Sequence, residues 1–179
     1  MCVHVRTNSR HSTFAIVVWV NWLDKLVDML GDVLSRLSLL GNEPNLWPGH
    51  HDMAQVSPSQ LGRDFINFRN ILRDLYWPHF KDSLLVGPDT AGPGAGFTTE
   101  FLNVCGDVIN ATTFHHYYGG GPSLSHVDNY TNPKVLDGYR VTAREFISYV
   151  NASNYPSVPM WNGETSSTFS PTSKFSSMT

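Results

Sequence analysis

The chain has 179 residues, of which 41% are hydrophobic, 12% aromatic and only 15% charged, a balance that can fill a core and is too apolar for a disordered polypeptide. Twelve Lys and Arg stand against fifteen Asp and Glu, a formal charge of −3, with no basic run to track a phosphate backbone, so nucleic acid is excluded as the expected partner. The length suits one domain, but a complete (β/α)8 barrel, which takes at least about 200 residues, does not fit.

At the N-terminus Arg6 and Arg10 precede an apolar stretch, Phe14 to Val20. This is the order of a secretory signal, yet the stretch is short and no small-residue cleavage site follows. Asp24 and Lys25 interrupt it well before the about 20 apolar residues of a membrane span, so a buried strand or helix start is the better reading. Next, Trp22, Leu23, Leu26, Val27, Leu30, Val33 and Leu34 recur at spacings of three and four, which lines one face of a helix. A second helix follows the candidate cap Ser59, with Leu61, Phe65, Phe68, Leu72 and Leu75 on one stripe, and ends before Pro78. A third, short helix covers Thr98 to Cys105. A fourth runs from Pro133, a good first-turn residue, through Val150.

Between these helices lie short apolar runs: Leu37 to Leu40, Leu84 to Val86, Val108 to Phe114 and Val158 to Trp161. Strand, helix, strand at this spacing predicts βαβ units with a parallel sheet, because parallel neighbours need a crossover. Each run leads into a polar cluster: Gly41-Asn42-Glu43-Pro44-Asn45, Gly87-Pro88-Asp89, His115-His116-Tyr117-Tyr118 and Gly163-Glu164-Thr165-Ser166-Ser167. All four fall where the C-terminal ends of parallel strands meet, the edge on which α/β enzymes collect catalytic groups. The chain then ends in a Ser/Thr-rich tail from Ser166 with little to bury.

Two of the clusters carry a glutamate after an apolar run and a glycine. Paired carboxylates suit glycoside hydrolysis: one carboxyl protonates the leaving oxygen and the other meets the positive charge at the anomeric carbon. A separation of about 5 to 5.5 Å allows direct attack with retention. The plain alternative for each glutamate is a solvated loop residue or helix-cap partner. A metal site built from His50, His51, Asp52, His115 and His116 is disfavoured, since successive strand side chains face opposite sides and no His-Glu-x-x-His or paired-Cys motif occurs. Cys2 and Cys105 cannot form a disulfide framework. Three sequons are present, at Asn110, Asn129 and Asn151, the first inside an expected strand.

The clusters, together with Ser59-Gln60-Leu61-Gly62, Asp64-Phe65-Ile66 and Asn132-Pro133 followed by Val135-Leu136-Asp137, resemble the heparanase family, family 79 of the glycoside hydrolases, in order and spacing over about residues 40 to 168. The resemblance implies an α/β fold: a partial (β/α)8 barrel covering about strands four to seven over residues 39–168, an atypical N-terminal segment at 1–38 and a loose tail at 169–179. It implies a retaining endo-β-glucuronidase acting on heparan sulfate, or an inactive paralogue that binds heparan sulfate or a protein. Glu43 matches the family's acid/base and Glu164 its nucleophile; Asn42, His115, Tyr117 and Asp89 match substrate-binding positions, with Tyr117 the donor to the nucleophile. No metal or organic cofactor is implied. A second polypeptide segment would complete the barrel, and the location implied is the extracellular matrix, the lysosome or a membrane surface. Where the family carries polar and basic residues for sulfated sugar, Thr90 to Gly96 offers no cation. The expectation is therefore a truncated enzyme, weakly stable and weakly active alone.

Overall fold

The computed structural model describes residues 37–47, 54–76, 84–119 and 131–169. The expected Trp22–Leu34 helix, most of the N-terminal segment and nearly all of the tail lie outside these residues. The elements are β1 (Leu37–Leu39), a single 3-10 turn (Pro44–Leu46), α1 (Pro58–Ile71) continued by a π turn (Leu72–Tyr76), β2 (Leu84–Ala91), α2 (Ala95–Cys105), β3 (Ala111–Gly119), α3 (Pro133–Leu136), α4 (Gly138–Asn151) and β4 (Met160–Thr168).

The four strands form one parallel sheet in the order β1-β2-β3-β4. The fold is thus mixed α/β with a parallel sheet, as the alternation of patterns predicts, and no barrel closes among the described residues. Among them β4 has β3 on one flank and no strand on the other.

Two helices, α1 and α3, begin at a side-chain cap, and α2 begins at Ala95, three residues before the expected Thr98. Ser57, not Ser59, caps α1: its Oγ accepts from the Gln60 N–H at 3.1 Å, and Pro58 occupies the first turn, where a missing N–H costs nothing. Ser59 instead donates to Glu100 on α2. The expected fourth helix is two, broken at Asp137, with the Asn132 side chain accepting from the Lys134 N–H at the start of α3. The helices bury Leu61, Phe65, Phe101, Leu102, Phe146 and Val150 against Leu85, Ile109 and Phe114. Phe65 meets Phe101 edge-on at 4.9 Å, and Phe146 lies 4.4 Å from Phe114. A fully buried phenylalanine contributes about 1.5–3 kcal/mol, so these rings dominate the core. A Cβ on Gly87 would sit 2.4 Å from Phe65 Cζ, so bare backbone in β2 is what lets that ring lie on the strand.

The strands run further than their apolar stretches suggest. Gly87-Pro88-Asp89 lies inside β2, His115 to Tyr118 inside β3, and Gly163 to Ser167 inside β4. The polar residues are retained in the ladder because each pairs with its neighbour: His115 with Glu164, His116 with Thr165, Tyr117 with Ser166. Asn110 correspondingly sits one residue before β3 rather than within it.

Candidate active site

Period-two alternation along β3 sends Phe114 into the helix layer and His115 to the other face. As expected, His115 and Tyr117 share that face. His116 points back toward α4, with Nδ1 3.0 Å from Thr142 Oγ1 and its ring edge-on to Tyr139. The face bearing His115 also carries Glu43, Asp89 and Glu164. His115 Nδ1 is 2.9 Å from Glu43 Oε1 and 3.5 Å from Glu164 Oε2; Nε2 is 3.0 Å from Asp89 Oδ1. The last is a close charge contact without the alignment of a hydrogen bond. One imidazole therefore faces three carboxylates drawn from β1's loop, β2 and β4.

Burial alone would lower the pKa of His115. The contacts to Asp89 and Glu43 and the charges of Asp89 and Glu164 outweigh it and raise the value to about 9. At neutral pH the group is an imidazolium. The Tyr117 hydroxyl donates to Glu164 Oε2 at 2.7 Å, and its pKa is pushed up by burial first and by that hydrogen bond and the Glu164 charge after it.

Glu43 and Asp89 both occupy left-handed backbone, with φ of 46° and 63°. Such conformations cost about 1–3 kcal/mol for residues other than glycine and persist where surrounding structure over-determines them. Here the Glu43 N–H donates to the Asp89 carbonyl at 2.9 Å. The Asn45 amide spans the same junction, donating to the Ala91 carbonyl at 3.0 Å and accepting its N–H at 2.9 Å. Thr113 Oγ1 accepts from the Asp89 N–H. Gly163 leaves room for the Asp89 carboxylate, since a Cβ there would stand 2.4 Å from Oδ1. Asn45, Thr113 and Gly163 escaped assignment to the site because nothing in composition or spacing separates a loop amide that bridges strands from one that is merely solvated.

Five of the six expected site residues, Glu43, Asp89, His115, Tyr117 and Glu164, come into contact, but not with equal access. The Glu43 and Glu164 side chains are 20% and 33% exposed, against 1% for His115 and 3% for Asp89. The first pair can meet a substrate; the second pair lies beneath it. One oxygen of Glu43 and one of Glu164 lie within 4.8 Å of each other. The side-chain Oδ1 of Asn42 is buried without a hydrogen bond among the described residues. Trp47 is buried with Nε1 donating to the Asn42 carbonyl, which fixes it as loop packing rather than a sugar platform.

Glu43, His115 and Glu164 have donor atoms close enough to surround a cation. The histidine grouping weighed from the sequence does not assemble on one face: His115 and His116 diverge, and His50, His51 and Asp52 lie outside the described residues.

Comparison with known proteins agrees with this architecture. The sequence is 35% identical over 133 residues to heparanase of Bos taurus, covering 73% of this chain and 23% of that protein. It is 29% identical over 128 residues to hyaluronoglucuronidase of Hirudo nipponia, covering 72% and 25%. It is also 29% identical over 125 residues to inactive heparanase-2 of Mus musculus, covering 68% and 20%. The chain thus spans about a quarter of the length of these relatives. In structure it resembles the GH39 enzyme from Xanthomonas axonopodis pv. citri, a barrel-type enzyme, with a TM-score of 0.55 at 18% identity over 88% of this chain and 31% of that one. Residues 38–178 match the family described as glycosyl hydrolase family 79, N-terminal domain, and with that match over most of its length the chain belongs to glycosyl hydrolase family 79.

Proposed function

We propose that the chain carries the catalytic pair of a retaining glycosidase that cleaves internal β-glucuronide linkages in heparan sulfate or a related glucuronide polysaccharide. The observation that carries this reading is the approach of Glu43 and Glu164 to within 4.8 Å, oxygen to oxygen. Retaining enzymes place their carboxyls about 5–5.5 Å apart, whereas inverting ones need about 6.5–9.5 Å to admit a water.

Glu164, held by Tyr117, attacks the anomeric carbon as the carboxylate while Glu43 gives its proton to the leaving oxygen. The covalent ester then removes the negative charge at Glu164. His115, 2.9 Å from Glu43, stabilises the carboxylate that Glu43 has become, and that carboxylate takes a proton from the water that opens the ester. Asn42, next to Glu43 in the chain, reaches the hydroxyl adjacent to the reacting carbon, a contact that strengthens as the ring flattens. His115 and Asp89 act as positioning residues, because burial keeps both from the sugar. A second polypeptide segment that completes the (β/α)8 barrel packs along the flanks of β1 and β4. The matrix or the lysosome is the compartment where such a substrate is met.

The likeness to inactive heparanase-2 favours one other reading, a binder without turnover. The full chain incubated with heparan sulfate and with an activated 2-deoxy-2-fluoroglucuronide separates the two. The hydrolase releases product, accumulates an ester on Glu164 by peptide mapping, and loses at least about 10³-fold in turnover on Glu164→Gln. Heparin binding with no product and no ester, unchanged by Glu164→Gln, would leave the binder in its place.

A further inference from the structure

We infer that Asn151 is an N-glycosylation site, and that of the two sequons among the described residues it is the one whose glycan the folded chain can carry. The oligosaccharide is transferred to the emerging polypeptide, so the fold acts afterwards as a filter: a modified asparagine survives only where its amide has no native partner and solvent lies beyond it.

Asn110 fails that test. Its Oδ1 accepts the Leu85 N–H at 2.8 Å and its own N–H donates to the Leu85 carbonyl at 2.7 Å, so the residue is stitched to the start of β2. Thr112, the hydroxyl member of the sequon, is fully buried in β3. A sugar on Asn110 Nδ2 would leave Oδ1 its bond but set a bulky group beside the strand that Oδ1 holds. Asn151 passes. It is the last residue of α4, exposed, and its side chain makes no hydrogen bond among the described residues. Ser153 turns inward, donating to the Val150 carbonyl at 2.7 Å and accepting the Tyr155 N–H at 3.1 Å, which closes the helix end while leaving Asn151 outside.

Topology places the glycan harmlessly. Crossover helices run antiparallel to the strands they join, so the end of α4 lies at the sheet edge where β4 begins, opposite the edge that bears Glu43 and Glu164. A bulky polar group there would leave the carboxylates open.

The donor is a lipid-diphosphate-linked oligosaccharide. Asn151 Nδ2 bonds to the sugar's first carbon, the carbon–oxygen bond to the diphosphate breaks, the lipid diphosphate leaves with the electron pair, and the amide proton passes to a base of the transferase. The test directs the full chain into the secretory pathway of cultured eukaryotic cells and treats the product with peptide-N-glycosidase in heavy-oxygen water. Labelled aspartate at position 151 and none at position 110 is the expected result. Asn151→Gln removes the label from that peptide, and Ser153→Thr, which keeps the hydroxyl, retains it. An unlabelled position 151 in secreted chain, or label at position 110 equal to that at 151, would overturn the inference. Neither outcome depends on whether the chain hydrolyses a glycoside.

Discussion

Replacing His115 by Gln removes the one cation among three carboxylates while leaving an amide that can still donate to them. The displacement of its pKa from 6.5 to about 9 corresponds to about 3 kcal/mol of folding stability. The sign follows from proton binding. Because the folded-state value is raised, the folded chain holds a proton that the unfolded chain releases near pH 6.5. The contribution is therefore complete below that point, falls by about 1.4 kcal/mol per pH unit, and is gone above about pH 9. Urea denaturation of the native chain and of His115→Gln, every half unit from pH 6.5 to 8.5, reads this directly as the difference between the two curves. His116, lowered by burial, acts below that window, and Tyr117 and Cys105, both raised, act above it. The difference should shrink steadily across the window. A difference that stays level would mean that folding does not favour a proton on His115, and the account of the carboxylate cluster would fall with it.

Tyr117→Phe deletes the donor to Glu164 without changing the ring. A hydrogen bond to a charged group is worth about 1.5–3 kcal/mol, so turnover of an aryl glucuronide should fall about 10- to 100-fold, and an unchanged rate would remove Tyr117 from the site. Gly163→Ala places a methyl 2.4 Å from Asp89 Oδ1, in contact with a side chain that cannot retreat far. It should lower the urea midpoint and flatten the pH dependence assigned to His115; a variant with native stability and native pH response would show that the Asp89 carboxylate is not confined there.

The alternation of helical and strand patterns was enough to read the parallel sheet, and the order of polar clusters was enough to bring Glu43, Asp89, His115 and Glu164 to one edge. The apolar runs stop short of the strand ends because apolar content marks burial rather than ladder pairing, so the reach of β3 to Gly119 and of β4 to Thr168 shows only in the pairing. The helix from Pro133 looked continuous because Asp137 interrupts the backbone without interrupting the apolar spacing. Motif spacing located the titratable groups but not their depth. That His115 and Asp89 lie under the two glutamates follows from three-dimensional closure, and so does the bridge from Asn45 to Ala91.

Glu164 rides on β4, a strand paired along one flank among the described residues. Glu43 is tied through its own N–H to Asp89 on β2, a strand with neighbours on either side. The two carboxylates are thus anchored with unequal firmness among the described residues. Any polypeptide that pairs along the flank of β4 that carries no strand among the described residues would steady Glu164 without touching its carboxylate.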